Sequence, residues 1–143
     1  MRLVDVNVLV YAVNTASAHH EVARGWLDEA LGGDETVGLA WTVVLAFLRL
    51  TTHPAVFSTP LEPEHATTIV RAWTDQPNAR MVDPTSRHFA VLSGLLAEAG
   101  TAGNLVSDAH LAALAIEHDA TLVTFDADFG RFRGLRLLRP VAP

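Results

Sequence analysis

Short apolar segments alternate with amphipathic ones along most of the chain. Strands are predicted where four or five consecutive residues are mostly apolar, at residues 2–6, 36–40, 79–82, 121–124 and 135–138. Helices are predicted where apolar residues recur every three or four positions between turn residues, at 20–31, 42–51, 63–75, 85–99 and 105–119. This alternation predicts an α/β protein whose sheet is mostly parallel and carries helices on both faces.

The helix predicted over residues 85–99 is typical of a segment that packs one face against a sheet. Its larger apolar side chains are three or four residues apart, so we expect Phe89 and the leucines that follow it to face inward. Gly100 comes directly after this segment and is expected to end the helix.

Three aspartates interrupt otherwise apolar stretches. Asp5 lies inside the first apolar run, Asp108 lies in a predicted helix, and Asp126 follows the fourth predicted strand. An unpaired buried carboxylate destabilises a fold by several kcal/mol, so each aspartate needs a partner. Ligands bind at the carboxyl ends of the strands in open α/β sheets. We therefore expect the three carboxylates to converge at that edge.

Converging carboxylates are the ligands that hard divalent cations such as Mg²⁺ or Mn²⁺ require. The residues alone leave a second interpretation open, because an aspartate after a strand often caps the next helix. Asp126 and Asp108 fit that interpretation individually, whereas Asp5 lies within an apolar run. The three together favour a metal site. A phosphatase of the haloacid-dehalogenase type is disfavoured, since Asp5 is not followed two residues later by a second aspartate.

Composition and charge exclude several other classes. The 143 residues contain no Cys and no Lys, and 10 Arg stand against 16 acidic residues, for a formal net charge of −6. A thiolate metal site, a Cys nucleophile, a P-loop lysine and a Schiff base are therefore excluded. The length predicts one domain over residues 1–143. We find no signal-peptide pattern and no apolar run of ~18 residues, which predicts a cytoplasmic protein.

Five segments carry a combination of residues that is specific as a set and weak singly. They are residues 4–9, 46–51, 103–113, 115–118 and 124–132. In them the chain resembles a PIN-domain ribonuclease, and most of all a VapC-type toxin of a toxin–antitoxin pair. The resemblance covers essentially the whole chain. It implies a three-layer α/β/α fold around a parallel sheet of four or five strands.

The same resemblance implies an activity and its partners. It implies a Mg²⁺- or Mn²⁺-dependent endoribonuclease that cleaves tRNA or ribosomal RNA by in-line attack of metal-activated water. It also implies a homodimer that a VapB-type antitoxin neutralises.

The family's motif can be carried onto this chain residue by residue. The catalytic acids that it matches are Asp5, Asp108, Asp126 and Asp128. The first three of these would bind the metal. Thr124 and Asn7 match polar residues that we expect to orient the carboxylates.

The chain departs from the family at Ala46, where most PIN nucleases have a glutamate. Asp128 is the candidate to compensate. Glu117 is a poorer one, because it lies nine residues beyond Asp108 on the same predicted helix and is about half a turn out of phase. The departure leaves a second function open: a PIN-like module that binds RNA or protein with weak or no catalysis.

Four arginines fall within nine residues near the C-terminus. They are Arg131, Arg133, Arg136 and Arg139. Arginines beside the acids are candidates to bind RNA phosphates. An ordinary solvated loop and strand edge is the alternative interpretation.

Overall fold

The computed structural model describes residues 1–142. The strands are β1 (Arg2–Val4), β2 (Val37–Ala40), β3 (Ala79–Val82), β4 (Thr121–Val123) and β5 (Arg136–Leu138). The helices are α1 (Val6–Val13), α2 (His20–Leu31), α3 (Trp41–Thr51), α4 (Pro63–Thr74), α5 (His88–Ala99) and α6 (Leu105–Glu117), and a 3₁₀ helix spans Ala127–Arg131. Every predicted strand and helix is present, with ends shifted by at most three residues.

The five strands form one sheet in the order β3-β2-β1-β4-β5. All four pairings are parallel. The chain leaves the central strand β1 in one direction, through β2 to β3, and then crosses to the other side of β1 for β4 and β5. Because such crossovers are right-handed, this reversal places α1–α4 on one face and α5 and α6 on the other. The predicted three-layer α/β/α arrangement with a parallel sheet is confirmed.

The core lies on both faces of the central strands. Leu3, Val4, Leu122 and Val123 of β1 and β4 are completely buried, as expected for parallel strands covered by helices on both sides. No helix among residues 1–142 is long and apolar enough to cross a bilayer.

Phe89 does not face inward as predicted, since 79% of its surface is exposed. The helix begins at His88, and the side chain of His88 is hydrogen-bonded to Glu117 and His110 of α6. The inward face of α5 therefore includes His88 and Leu95. Phe89, one residue after His88, is turned about 100° away from that contact.

Replacing Gly38 in β2 with Ala is expected to destabilise the fold. The added Cβ would lie 2.8 Å from Val82 Cγ2 and 3.3 Å from Leu3 Cδ1. We expect a loss of about 1–3 kcal/mol in the free energy of unfolding, measured by urea denaturation. Gly94→Ala is the matched control, because its Cβ meets nothing within 4 Å and alanine favours a helix by about 1 kcal/mol. Equal effects of the two substitutions would contradict this account.

Candidate active site

Three of the predicted acids lie where the strand order reverses. Asp5 directly follows β1, and Asp126 follows the neighbouring strand β4 by three residues. Asp108 lies in the first turn of α6 and is half-buried. Since β1 and β4 are parallel, Asp5 and Asp126 share the carboxyl edge of the sheet, the edge at which open α/β sheets bind ligands.

The carboxylate of Asp5 is held by hydrogen bonds on both oxygens. Its Oδ1 accepts a hydrogen bond from the backbone N–H of Val6 at 2.7 Å. Its Oδ2 accepts one from the Thr124 hydroxyl at 2.7 Å and one from the Asn7 amide at 3.0 Å. Only 7% of Asp5 is exposed. These bonds satisfy a carboxylate whose burial would otherwise be unfavourable.

Thr124 and Asn7 also connect the ends of β1 and β4 to each other. The Asn7 amide donates to Thr124 Oγ1 at 3.1 Å, and Asn7 Oδ1 accepts from the backbone N–H of Phe125 at 3.1 Å. Thr124 Oγ1 accepts in addition from the backbone N–H of Asp126 at 3.0 Å. Both residues contact Asp5, as expected for side chains that orient its carboxylate.

The aspartates interact through their charges. Burial raises the pKa of Asp5 above its ordinary value, while the hydrogen bonds from Thr124 and Val6 lower it. The negative charges of Asp108 and Asp126 raise the pKa of Asp5 further. A carboxyl that is both buried and close to other carboxylates favours its protonated form unless a cation arrives.

The pKa of Asp108 is also raised above its ordinary value. Burial and then the charge of Asp126 raise its pKa, and the charge of Asp128 adds to this. Arg131 opposes the shift and lowers it. All four predicted acids are thus electrostatically linked, with one arginine beside them.

The alternative interpretation as helix caps holds for Asp126, as expected, but it holds for Asp5 instead of Asp108. Asp126 Oδ1 accepts from the backbone N–H of Asp128 at 2.9 Å and caps the 3₁₀ helix. Asp5 caps α1, although its apolar surroundings had argued against this. Asp108 is not a cap, because α6 begins three residues before it, at Leu105. Asp5 and Asp126 therefore each cap a helix and also lie together at one edge of the sheet.

The donor set fits a hard divalent cation in its chemistry. Carboxylate oxygens are the ligands that Mg²⁺ and Mn²⁺ prefer, and the pKa values of Asp5 and Asp108 are raised mainly by burial and further by the charges of neighbouring aspartates. Within residues 1–142, however, no three His, Asp or Glu side chains are already grouped closely enough to hold a metal ion. Both oxygens of Asp5 bind protein donors, and the carboxylates repel one another. The acids lie at one edge of the sheet, but among residues 1–142 their side chains are not close enough together to hold a cation.

Two further positions were candidates for an acid beside the aspartates, those of Ala46 and Glu117. Ala46 is half-buried on α3, a helix that contains no carboxylate. Glu117 is buried at the far end of α6, where its carboxylate accepts from the backbone N–H of Thr85 at 2.7 Å and is hydrogen-bonded to His88 at 2.8 Å. Neither supplies a fifth acid.

The arginine-rich segment is divided between the two edges of the sheet. Arg131 lies beside the acids, where its Nε donates to the carbonyl of Asp128 at 3.2 Å. Arg136 instead forms an ion pair with Asp119 at 3.1 Å, at the amino end of β4 and β5. Arg136 therefore does not take part in the predicted cluster. Arg133 is exposed.

Sequence reasoning missed an aromatic cluster next to the acids. The rings of Tyr11, His19 and Phe125 contact one another, and Arg139 lies over Phe125. Tyr11 and His19 lie far from Phe125 in the sequence and have no common periodicity with it. No local pattern could have identified them.

Comparison with known protein sequences identifies the family that this chain resembles. The family model described as PIN domain matches residues 2–135. The chain is 52% identical over 142 residues to "Ribonuclease VapC37" of Mycobacterium tuberculosis, and the match covers 99% of both chains.

Solved structures have a similar fold. VapBC2 from Rickettsia felis, bound to a DNA fragment from its promoter, matches with a TM-score of 0.73 and 22% identity over 98% of both chains. VapC20 from Mycobacterium tuberculosis, a "Sarcin-Ricin loop cleaving toxin", matches with a TM-score of 0.68 and 16% identity. That match covers 95% of this chain and 99% of the other.

Asp108→Asn is expected to stabilise the metal-free protein at neutral pH. Because the pKa of Asp108 is raised in the folded state, its ionised form opposes folding at every pH above the folded pKa. The gain in the free energy of unfolding should be up to about 1 kcal/mol, since solvent screens a half-buried charge. It should fade as the pH falls through the folded pKa towards the unfolded value.

Urea denaturation in EDTA across this pH range measures the effect. The exposed Asp34, in the turn between α2 and β2, provides the control substitution Asp34→Asn. A gain at Asp108 that is the same at neutral and acidic pH would overturn the electrostatic explanation.

Proposed function

We propose, since the chain belongs to the PIN-domain family and within it to the VapC ribonucleases, that it is the ribonuclease toxin of a VapBC pair and requires a divalent cation. The family predicted from the sequence is confirmed. The observation that carries the proposal is the buried carboxylate of Asp5, fixed by Thr124 and Asn7 and electrostatically linked to Asp108 and Asp126. The pKa values of Asp5 and Asp108 are both raised, mainly by burial and further by neighbouring carboxylates, and acids perturbed in this way are typical of functional sites.

The proposed substrate is tRNA or ribosomal RNA, and the proposed cation is Mg²⁺ or Mn²⁺. The cation would be held by Asp5, Asp108 and Asp126, and it would supply positive charge to the phosphate and lower the pKa of the attacking water. The likeness to VapC20, a sarcin–ricin loop cleaving toxin, supports RNA as the substrate class. Because the chain has a net charge of −6, such local positive charge would also strengthen the binding of a polyanion.

The side chains of the site have separate tasks in the proposed hydrolysis. Thr124 and Asn7 keep the Asp5 carboxylate in one orientation. Asp126 or Asp128 accepts a proton from the attacking water as general base. Water forms a bond to phosphorus in line with the leaving 3′ oxygen, which takes a proton from solvent. The products are a 5′-phosphate and a 3′-hydroxyl.

The proposed partners are a VapB-type antitoxin and a second copy of the chain. Support for the antitoxin comes from solved structures of similar fold that are VapBC complexes, those of Rickettsia felis and Salmonella typhimurium among them. We place the activity in the cytoplasm, where tRNA and ribosomes are found.

Cleavage of purified tRNA and ribosomal RNA tests the proposal directly. Wild-type protein should cut at specific sites with Mg²⁺ or Mn²⁺ and not in EDTA. Asp5→Asn and Asp108→Asn should abolish the cuts, because each removes a negatively charged ligand from the cation. Asp34→Asn is the matched control and should cut as wild type does.

The opposite result would have a definite meaning. If neither cation supports cleavage, or if the Asp5 and Asp108 variants cut normally, the carboxylate mechanism is wrong for this chain. Ala46 would then mark the loss of a catalytic acid, and a binding function would replace the nuclease.

Thr124→Val is expected to reduce both cleavage and Mn²⁺ affinity by about 10–100-fold, the usual effect of removing a partner that orients a metal ligand. The substitution keeps the shape of the side chain but removes the hydroxyl that donates to Asp5. Thr124→Ser keeps the hydroxyl and should retain most of both properties. Calorimetric titration with Mn²⁺ in the absence of RNA measures the affinity independently of activity. Similar Mn²⁺ affinities for the two variants would show that the hydroxyl does not orient Asp5.

A further inference from the structure

Three aromatic rings form a cluster beside the candidate active site. The ring centroids are 5.0 Å apart for Tyr11 and His19, 5.2 Å for Tyr11 and Phe125, and 4.9 Å for His19 and Phe125. Tyr11 comes from α1, His19 from the turn before α2, and Phe125 from the segment after β4. All three residues remain partly exposed. Tyr11 and Phe125 also pack against the buried core, which holds their rings in place from below.

The cluster is joined to the acids through the backbone of Phe125. Its N–H donates to Asn7 Oδ1, and Asn7 in turn donates to Asp5. Phe125 also stands between Thr124, which donates to Asp5, and Asp126. The same hydrogen bonds that orient the carboxylate of Asp5 therefore fix the backbone that carries this ring.

Arg139 completes the cluster from the end of β5. Its guanidinium carbon lies 5.1 Å from the centre of the Phe125 ring, a distance at which a cation is attracted to the ring face. The guanidinium also donates to the carbonyl of Phe125. Arg139 is exposed, and none of the ion pairs within residues 1–142 includes it. Since a guanidinium has five N–H donors, several stay available for a phosphate.

We propose that Tyr11, His19, Phe125 and Arg139 form a subsite that binds one unpaired nucleobase and an adjoining phosphate of the RNA, next to the phosphodiester that is cleaved. This inference rests on the proposed function. Aromatic side chains stack on unpaired bases of any sequence, and arginine adds charge to such sites. Rings already packed on the core lose little freedom when a base stacks on them, so the binding is favoured.

The subsite restricts where the nuclease cuts. A base in a continuous double helix is stacked on its neighbours and cannot reach the rings, whereas a base in a loop or bulge can. Cleavage is therefore directed to unpaired segments of a folded RNA. Because the stacking contact is the same before and during the reaction, its loss should raise KM and leave kcat nearly unchanged.

The test uses short single-stranded RNA that carries one 2-aminopurine, a fluorescent base that stacking quenches. Binding is followed in EDTA, with the Asp108→Asn protein as well as wild type, so that the RNA stays intact. Phe125→Leu and Tyr11→Leu should abolish the quenching and raise Kd by about tenfold. Phe125→Tyr keeps a ring and should retain both. Phe89→Leu removes an exposed ring from α5 and should change neither.

Arg139→Gln provides a second variant, at an exposed position. It should weaken binding and lower the slope of log Kd against log salt by about 0.7, the contribution of one phosphate contact on a single strand. Unchanged quenching and Kd in Phe125→Leu, Tyr11→Leu and Arg139→Gln would overturn the subsite, even if wild type cleaves RNA in Mg²⁺. Conversely, ring-dependent quenching by a wild-type protein that cuts no RNA would support the subsite and refute the nuclease.

Discussion

The burial of one carboxylate between two parallel strands organises this end of the molecule. Asp5 is nearly inaccessible, and a charge in that position is tolerated only with donors on its oxygens. The donors come from Val6 in its own helix, from Asn7, and from Thr124 at the end of the neighbouring strand. The order of the strands, the start of α1 and the path of the chain after β4 are all consistent with this requirement.

The fold could be predicted largely from the sequence because the five strands and five of the six α-helices have their own periodicity. Helix α1 (Val6–Val13) is the exception among the helices, because its apolar residues continue the run of β1. Five strands and five helices lie within three residues of their predicted limits. The exceptions have local causes. The 3₁₀ helix is a single short turn held by Asp126, with no periodicity to detect. Phe89 has the spacing of a core residue but is exposed, because His88 takes the inward position through partners on α6. Contacts between helices are not encoded in the pattern of either helix.

The sequence predicted at which edge of the sheet the site residues lie, but not which residues they contact. A rule of topology places residues that follow β1 and β4 at one edge, so the proximity of Asp5 and Asp126 could be derived. The division of the arginines could not. Arg136 and Arg139 are three residues apart, yet one lies at the amino end of β5 and the other just beyond its carboxyl end. In a strand of three residues, that interval spans the full height of the sheet.

The hydrogen bond between Asp5 and Thr124 joins residues 119 positions apart in the chain. During translation, the first of these residues leaves the ribosome long before the second has been synthesised. Strand β1 can pair with β2 early, but its other edge stays open until α6 and β4 have emerged. The carboxylate is consequently fixed only after Thr124 has been synthesised and β4 has paired with β1. The hydrogen bonds that orient Asp5 therefore cannot all form on the nascent chain before β4 has emerged from the ribosome.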